Sequence, residues 1–201
     1  MPKFADKEKE YIYTLLVEQG RRMFSTMGVK KTSVADLTKA AGIAQGSFYS
    51  FFGSKEELFY TILVEEEAKI RSELLAPLLK GGQVTQEEFE RFMHQSLRTI
   101  PDHPLLRQLY DEQLMEQLVR KLPEEKLKAN FKGDADELRP LIERGQREGW
   151  MAQEDSDTIV SLIRSVVLLA LQRRQIGEAQ FEPTMRLLVR LITQGLIVER
   201  L

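Results

Sequence analysis

The sequence predicts an all-α chain of about nine helices. Three observations carry that expectation. Apolar residues recur at spacings of three and four along nearly all of the 201 residues, which is the period of one helix face. Helix-start patterns, a Ser or Thr three positions ahead of an acid, stand where apolar stripes begin. Strand-type alternation of apolar and polar residues is almost absent.

The elements follow in order. Ile12, Leu15, Leu16, Met23, Phe24 and Met27 form one stripe, so a first helix is expected over about 7–27, with Gly28 at its C-terminal cap. Ser33-Val34-Ala35-Asp36 is a capping box: the Ser oxygen accepts a free backbone N–H and the Asp reaches back. It opens a short helix that ends at Ala41, before Gly42. A third short helix is expected from about Ala44 to Phe51. Gly53-Ser54-Lys55-Glu56-Glu57 reads as turn, N-cap and acidic first turn. The long helix that follows carries Leu58, Phe59, Ile62, Leu63, Ile70, Leu74 and Leu78, and Pro77 and Gly81-Gly82 end or kink it.

A second capping box, Thr85 to Glu88, precedes a stripe of Phe89, Phe92, Met93, Leu97 and Ile100. Pro101-Asp102-His103-Pro104 is expected to break the chain. Leu105, Leu106, Leu109, Tyr110, Leu114 and Leu118 then predict one helix. Residues 124–148 read as helical, with a weak middle at Gly133, a kink near Pro140 and a cap at Gly149. Asp155 or Ser156 starts a helix bearing Ile159, Leu162, Ile163, Val166, Leu169 and Ala170. The last helix is expected from about Pro183 to Val198.

Composition narrows the function. With 42% apolar residues, the chain is too apolar for a disordered protein. It has no cysteine, which excludes disulfides, thiolate metal sites and cysteine nucleophiles. The longest wholly apolar run, Val166–Leu171, is far short of the roughly 20 residues that span a bilayer, so no membrane partner is expected. The first ten residues are charged and lack the apolar stretch of a secretory signal, which points to a cytoplasmic protein. No Ser/His/Asp set, paired acids or phosphate loop is present, so no catalytic site is expected. His94 and His103 lie nine apart across a break, a poor metal pair, and no metal or other cofactor is expected. The net charge of −2 discourages nucleic acid until it is partitioned. Residues 1–55 hold nine basic and five acidic side chains, a net of +4, while the remainder carries −6.

Two short helices joined at Gly42-Ile43 have the layout of a helix-turn-helix, with small Ala40, Ala41 and Gly42 allowing close approach. By spacing, Leu37, Ile43, Phe48 and Phe52 turn inward against Leu16 and Phe24, while Gln45, Ser47, Tyr49 and Ser50 turn outward. An amide, hydroxyls and a phenol are groups that bond base edges and phosphates.

The run Thr32–Leu37, Ala40–Ile43, Gly46–Tyr49, Phe52 and Ser54–Leu58 closely resembles the DNA-binding domain of TetR/AcrR-type regulators. The specific likeness covers about residues 10–60, and the remainder is similar in outline, including Gly145 and Gly149 ahead of the penultimate helix. The resemblance implies a DNA-binding domain at 1–55 and an effector-binding and dimerisation domain at 56–201. It implies a homodimer that binds a palindromic double-stranded DNA operator, acts as a repressor and is released by a small-molecule effector. By position, Thr32, Ser33, Tyr49 and Lys55 match phosphate contacts, and Ala44, Gln45, Gly46 and Ser47 match the entry of the recognition helix into the major groove. Ser50 completes the expected DNA-binding set.

This chain departs from the family pattern at several places. Ala44 stands where a Ser cap is common, Phe51 where a His or Tyr often donates to the backbone, and Gly53 where Lys is frequent. Fewer phosphate contacts, and a shallower salt dependence, are expected. Gly20 replaces a usual Ala in the first helix, which suggests close packing.

In the body, the expected effector-lining residues are Phe89, Phe92, Met93, His94, Leu97, Tyr110, Gln113, Phe131, Trp150 and Arg164. The same aromatics at helical spacing also suit an ordinary core, and Trp150 suits the seal of a helix junction. The last two helices are apolar around too much of their circumference for one-sided burial, so Val166, Leu169, Leu188, Leu191, Ile192, Gly195 and Leu196 are the expected dimer interface. A helical interaction protein of the same fold, without sequence-specific DNA binding, is the alternative.

Overall fold

The computed structural model describes residues 6–122 and 124–198, with side chains throughout except at 127–131 and 134. Among them are nine α-helices and two 3-10 helices. They are α1 (Asp6–Met27), α2 (Val34–Ala40), a 3-10 helix (Gln45–Ser50), α3 (Lys55–Lys80), α4 (Gln86–Asp102), a second 3-10 helix (Leu106–Tyr110), α5 (Glu112–Lys121), α6 (Glu124–Glu148), α7 (Ser156–Ala170), α8 (Arg173–Ile176) and α9 (Glu178–Leu196). The single extended pairing among the described residues is an antiparallel bridge between Met151 and Ile197. No described helix is long and apolar enough to cross a membrane.

Both capping boxes form. Ser33 Oγ accepts from Asp36 N at 3.1 Å, and Asp36 accepts from Ser33 N at 3.0 Å. Thr85 and Glu88 repeat the exchange at 3.2 and 2.9 Å. Asp155 caps α7 through Thr158 N at 2.9 Å. Hydrogen bonds from Ser33, Thr85 and Thr158, respectively, hold the Asp36, Glu88 and Asp155 carboxyls below their usual values. Such depressed groups stabilise the fold above their unfolded-chain values, and that contribution is lost as pH falls through the depressed ones. The melting temperature is therefore expected to hold across neutrality and to drop below about pH 4.5, where Glu88 starts to protonate in the unfolded chain. A melt unchanged down to pH 2 contradicts this role for the caps.

Several boundaries differ from the sequence expectation. The third short helix is a 3-10 turn of six residues, and Ala44 at its start offers no side-chain cap. The chain breaks within Pro101–Pro104 as expected, with α4 carrying Pro101 in its last turn and ending at Asp102. The expected helix through Leu105–Leu118 is interrupted: Asp111 takes an extended conformation and caps α5 by accepting from Leu114 N at 3.1 Å. Helix α6 runs unbroken past Gly133 and Pro140. Helix α9 begins before Pro183, at Gly177 (φ +97), whose carbonyl accepts from Gln180 N and Phe181 N. The short α8 had no distinct sequence signal.

By packing, the chain divides into two compact units. Unit 1 joins residues 1–66 with 103–127, and unit 2 joins 67–102 with 128–201. The boundary at residue 55 follows the motif, whereas the packing adds the start of α3, the second 3-10 helix and α5 to the N-terminal helices. In unit 1, Leu16, Phe24, Leu37, Phe48, Leu58, Phe59 and Ile62 are fully buried. Gly20 lies against α3 so closely that a Cβ there would stand 2.9 Å from Ile62 Cδ1 and 3.1 Å from Leu58 Cδ2. In unit 2, α4 and α7 pack on α9 around Phe89, Met93, Val160, Val166 and Val189.

Unit 2 also contains a tight corner after α6. Gly149 (φ +78) reverses the chain, and Trp150 N and Met151 N donate to Gly145 O at 2.9 and 3.1 Å. This brings the buried Trp150 ring onto Gly145, where a Cβ would meet ring carbons at 2.7 and 2.8 Å. The indole N–H donates to Glu148 at 2.8 Å, and the Arg144 guanidinium lies 5.7 Å from the ring centroid. Arg144 also donates to the carbonyls of Leu78, Leu79, Gly81 and Gly82, four acceptors at or just beyond the C-terminal end of α3.

Candidate nucleic-acid interface

The helix-turn-helix is built from its apolar side outward. Phe48 is fully buried and Phe52 nearly so, with ring centroids 5.9 Å apart, and Tyr13 of α1 stacks on Phe52 at 5.3 Å. Burial, reinforced by Glu65 and Glu57, pushes the Tyr13 phenol up. Phe24 meets Phe59 edge to face at 5.6 Å. Gly42 (φ +70) makes the turn between α2 and the 3-10 helix, in a conformation that any Cβ would strain.

On this base the expected DNA-facing residues divide. Ala44, Gln45, Gly46, Tyr49 and Ser50 are exposed, with Tyr49 54% accessible. Tyr49 is braced by an edge-to-face contact with Phe48 at 5.5 Å. Ser33 is exposed but its hydroxyl is engaged with Asp36. Ser47 is a correction: it is buried beside Phe48, because the tight 3-10 turn brings both residues to the inner side. Thr32 is buried as well, and its hydroxyl donates to Gly28 O at 2.9 Å.

Lys55 takes a different position from a free phosphate ligand. Its ammonium reaches back to the loop after α1 and donates to Val29 O at 2.7 Å and Thr32 O at 2.8 Å. The positive charge thus lies beside Thr32–Ser33, while its N–H groups are engaged with the backbone. Gly53 N donates to Glu57 at 2.7 Å, and Lys126 pairs with the same carboxylate at 2.6 Å. Burial pushes the Glu57 carboxyl up, and the bonds from Lys126 and Gly53 outweigh it, so the group sits below its usual range.

Residues outside the motif tie the same loop. Gln108, in the second 3-10 helix, accepts from Val29 N and donates to Phe24 O, each at 2.9 Å. Lys30 pairs with Asp111 at 2.7 Å and donates to Gln113 at 3.0 Å, and the buried Glu56 pairs with Lys121 at 3.0 Å. The Lys30 ammonium is the main reason the Asp111 carboxyl lies below its usual value. The sequence offered no signal for these partners, and Gln108 and Gln113 lie about 80 positions from the loop atoms they hold.

The expected effector set is spread over both units. Gln113 is exposed and Tyr110 half-buried in unit 1. In unit 2, Phe89, Phe92 and Met93 are packed core, with the two rings 5.9 Å apart. His94, Leu97 and Arg164 are half-buried, and Trp150 fills the corner after α6. The Phe131 side chain lies outside the described residues. The expected dimer set also divides. Val166, Ile192 and Leu196 turn into unit 2, Leu188 is half-buried, and Leu169, Leu191 and Gly195 are exposed. Leu162, Leu168 and Leu187 add exposed apolar surface on α7 and α9.

The family model for bacterial regulatory proteins of the tetR family matches residues 16–62. The HTH-type transcriptional regulator YdgC of Bacillus subtilis (strain 168) is 30% identical over 78 residues, which is 39% of this chain and 40% of that protein. Among solved structures, a TetR-family transcriptional regulator from Pectobacterium atrosepticum superposes with a TM-score of 0.71 at 21% identity, covering 98% of this chain and 100% of that one. The transcriptional regulator FadR of Bacillus subtilis, in complex with stearoyl-CoA, gives a TM-score of 0.58 at 15% identity over 91% of this chain and 98% of that one. The family-model match is thus confined to the N-terminal part, the chain spans about two fifths of the curated relative's length, and the likeness in fold runs almost end to end. Residues 16–62 carry the DNA-binding segment that defines the tetR family model, and the chain as a whole shares the fold of TetR-family regulators.

Proposed function

We propose that the protein is a ligand-responsive repressor that binds a palindromic operator as a homodimer and leaves it when a small hydrophobic effector binds. The observation that carries this reading is the exposed polar edge of Gln45, Tyr49 and Ser50 held rigidly over buried Phe48 and Phe52. Gln45 is the base reader, because its amide pairs bidentately with adenine. Gln45→Ala is expected to lose about 1–3 kcal/mol against the operator at one base position. Selection of duplexes from a random pool, repeated with this variant, checks it. Uniform weakening across sequences would instead mark a positioning contact, and recovery of no palindrome would favour an interaction protein of the same fold.

Dimerisation is supported by the exposed leucines of α7 and α9. Leu187, Leu191 and Gly195 recur every four residues on one side of α9, and Leu191 remains 55% accessible in the single chain. A Cβ at Gly195 would meet nothing within 4 Å, so the space beside it is open to a second helix. Leu187→Glu combined with Leu191→Glu is expected to give a folded monomer by light scattering and to weaken operator binding at least tenfold. A variant that stays dimeric removes this face from the interface.

Release is an allosteric step. Helix α3 contributes its first twelve residues to unit 1 and the rest to unit 2, so its conformation is shared by both. A coupling of about 1–3 kcal/mol corresponds to roughly 5–150-fold weaker DNA binding, provided that the ligand prefers the non-binding state. The acyl-CoA complex of the fold relative FadR supports a hydrophobic effector.

A further inference from the structure

The loop between α1 and α2 is short, and side chains hold several of its backbone groups. Val29 is buried, and its N–H bonds to the Gln108 amide oxygen. The Gln108 amide nitrogen donates to Phe24 O, in the last turn of α1, and to Pro104 O, both at 2.9 Å. Gly28 (φ +80) passes beside this amide, and a Cβ there would stand 3.3 Å from its oxygen. One primary amide therefore accepts from Val29 N–H and donates to the Phe24 and Pro104 carbonyls, and a single acceptor with two N–H donors on one neutral group is found only in Asn and Gln. From the opposite side, Lys55 holds Val29 O and Thr32 O. The next residue is Ser33, which caps α2.

Resting on the DNA-binding reading above, we infer that Gln108, which lies outside the helix-turn-helix, is a positioning residue for the exposed Ser33 end of α2 at the edge of the DNA surface. Removing the amide leaves the buried Val29 N–H without a partner, and such a loss costs enough to open the loop several-fold to a hundred-fold more often. The loop then no longer presents the Ser33 end of α2 in one place. Base reading by Gln45 rests on Phe48 and Phe52 and is unaffected.

The test uses the full chain, a duplex selected from a random pool by the unsubstituted protein, and two variants. Gln108→Ala removes both bonds. Gln108→Glu keeps an acceptor for Val29 N–H but sets a carboxylate against the Phe24 and Pro104 carbonyls, and it serves if the alanine variant fails to fold. Amide exchange at 29–34 is expected to rise about tenfold in Gln108→Ala, while α9 exchanges as before. Affinity for the duplex is expected to fall about tenfold. The slope of log affinity against log salt should shrink by about one, with base preference unchanged. If the unsubstituted protein selects a duplex and the variants bind it with the same affinity and slope, the assignment to Gln108 is overturned and the DNA-binding reading stands. If the unsubstituted protein selects none, the DNA-binding reading fails and the assignment fails with it, whatever the exchange rates do.

Discussion

Phe48→Ala is expected to lower the unfolding free energy of unit 1 by about 3–5 kcal/mol and to abolish operator binding. The ring is fully buried and touches both Phe52 and Tyr49, so its loss opens a cavity beneath the one segment expected to enter the major groove. A six-residue 3-10 helix without a side-chain cap has little stability of its own and depends on that ring for its place. Urea unfolding followed by circular dichroism measures the first effect, and titration of the selected duplex measures the second. A variant that binds DNA with ordinary affinity would show that the segment is held by something other than Phe48.

Trp150→Ala is expected to cost unit 2 a similar amount, about 3–5 kcal/mol, because the buried indole covers Gly145 and gives Arg144 its aromatic contact. Gly145→Ala should cost about 1–3 kcal/mol for the opposite reason, since its Cβ would stand 2.7 Å from the ring. The two changes should not add. Once the indole is gone, most of the penalty at residue 145 disappears, and what remains comes from Met151 Cβ at 2.8 Å. A double variant measured by denaturant unfolding decides the point, because strict additivity would mean that the two sites do not share the contact.

What the sequence made legible was local. Ser33 and Asp36, Thr85 and Glu88, and Asp155 announce helix starts because each box lies within three residues. The buried positions Leu37, Phe48 and Phe52 follow from spacing alone. Ser47 faces inward rather than outward because the 3-10 turn has three residues per turn, not the 3.6 of the α-helix that the spacing assumes. Asp111 was passed over because the leucine stripe continues across it, and an N-cap inside an unbroken stripe is not conspicuous. Gln108 and Arg144 escaped for a deeper reason. Each satisfies backbone atoms tens of residues away, and no periodicity or motif encodes which distant carbonyl a side chain will meet.

Unit 1 is assembled from two separate stretches of chain, and this bears on how heads are exchanged between regulators. A graft that takes residues 1–66 alone leaves behind Gln108, Asp111, Lys121 and Lys126, the partners of Val29, Lys30, Glu56 and Glu57. The transplanted head would arrive with a buried N–H unsatisfied and a buried carboxylate unneutralised, whatever operator it is meant to read. A working chimaera needs both pieces from one parent, so the portable module is discontinuous: an N-terminal block and an insert from mid-chain that travel together.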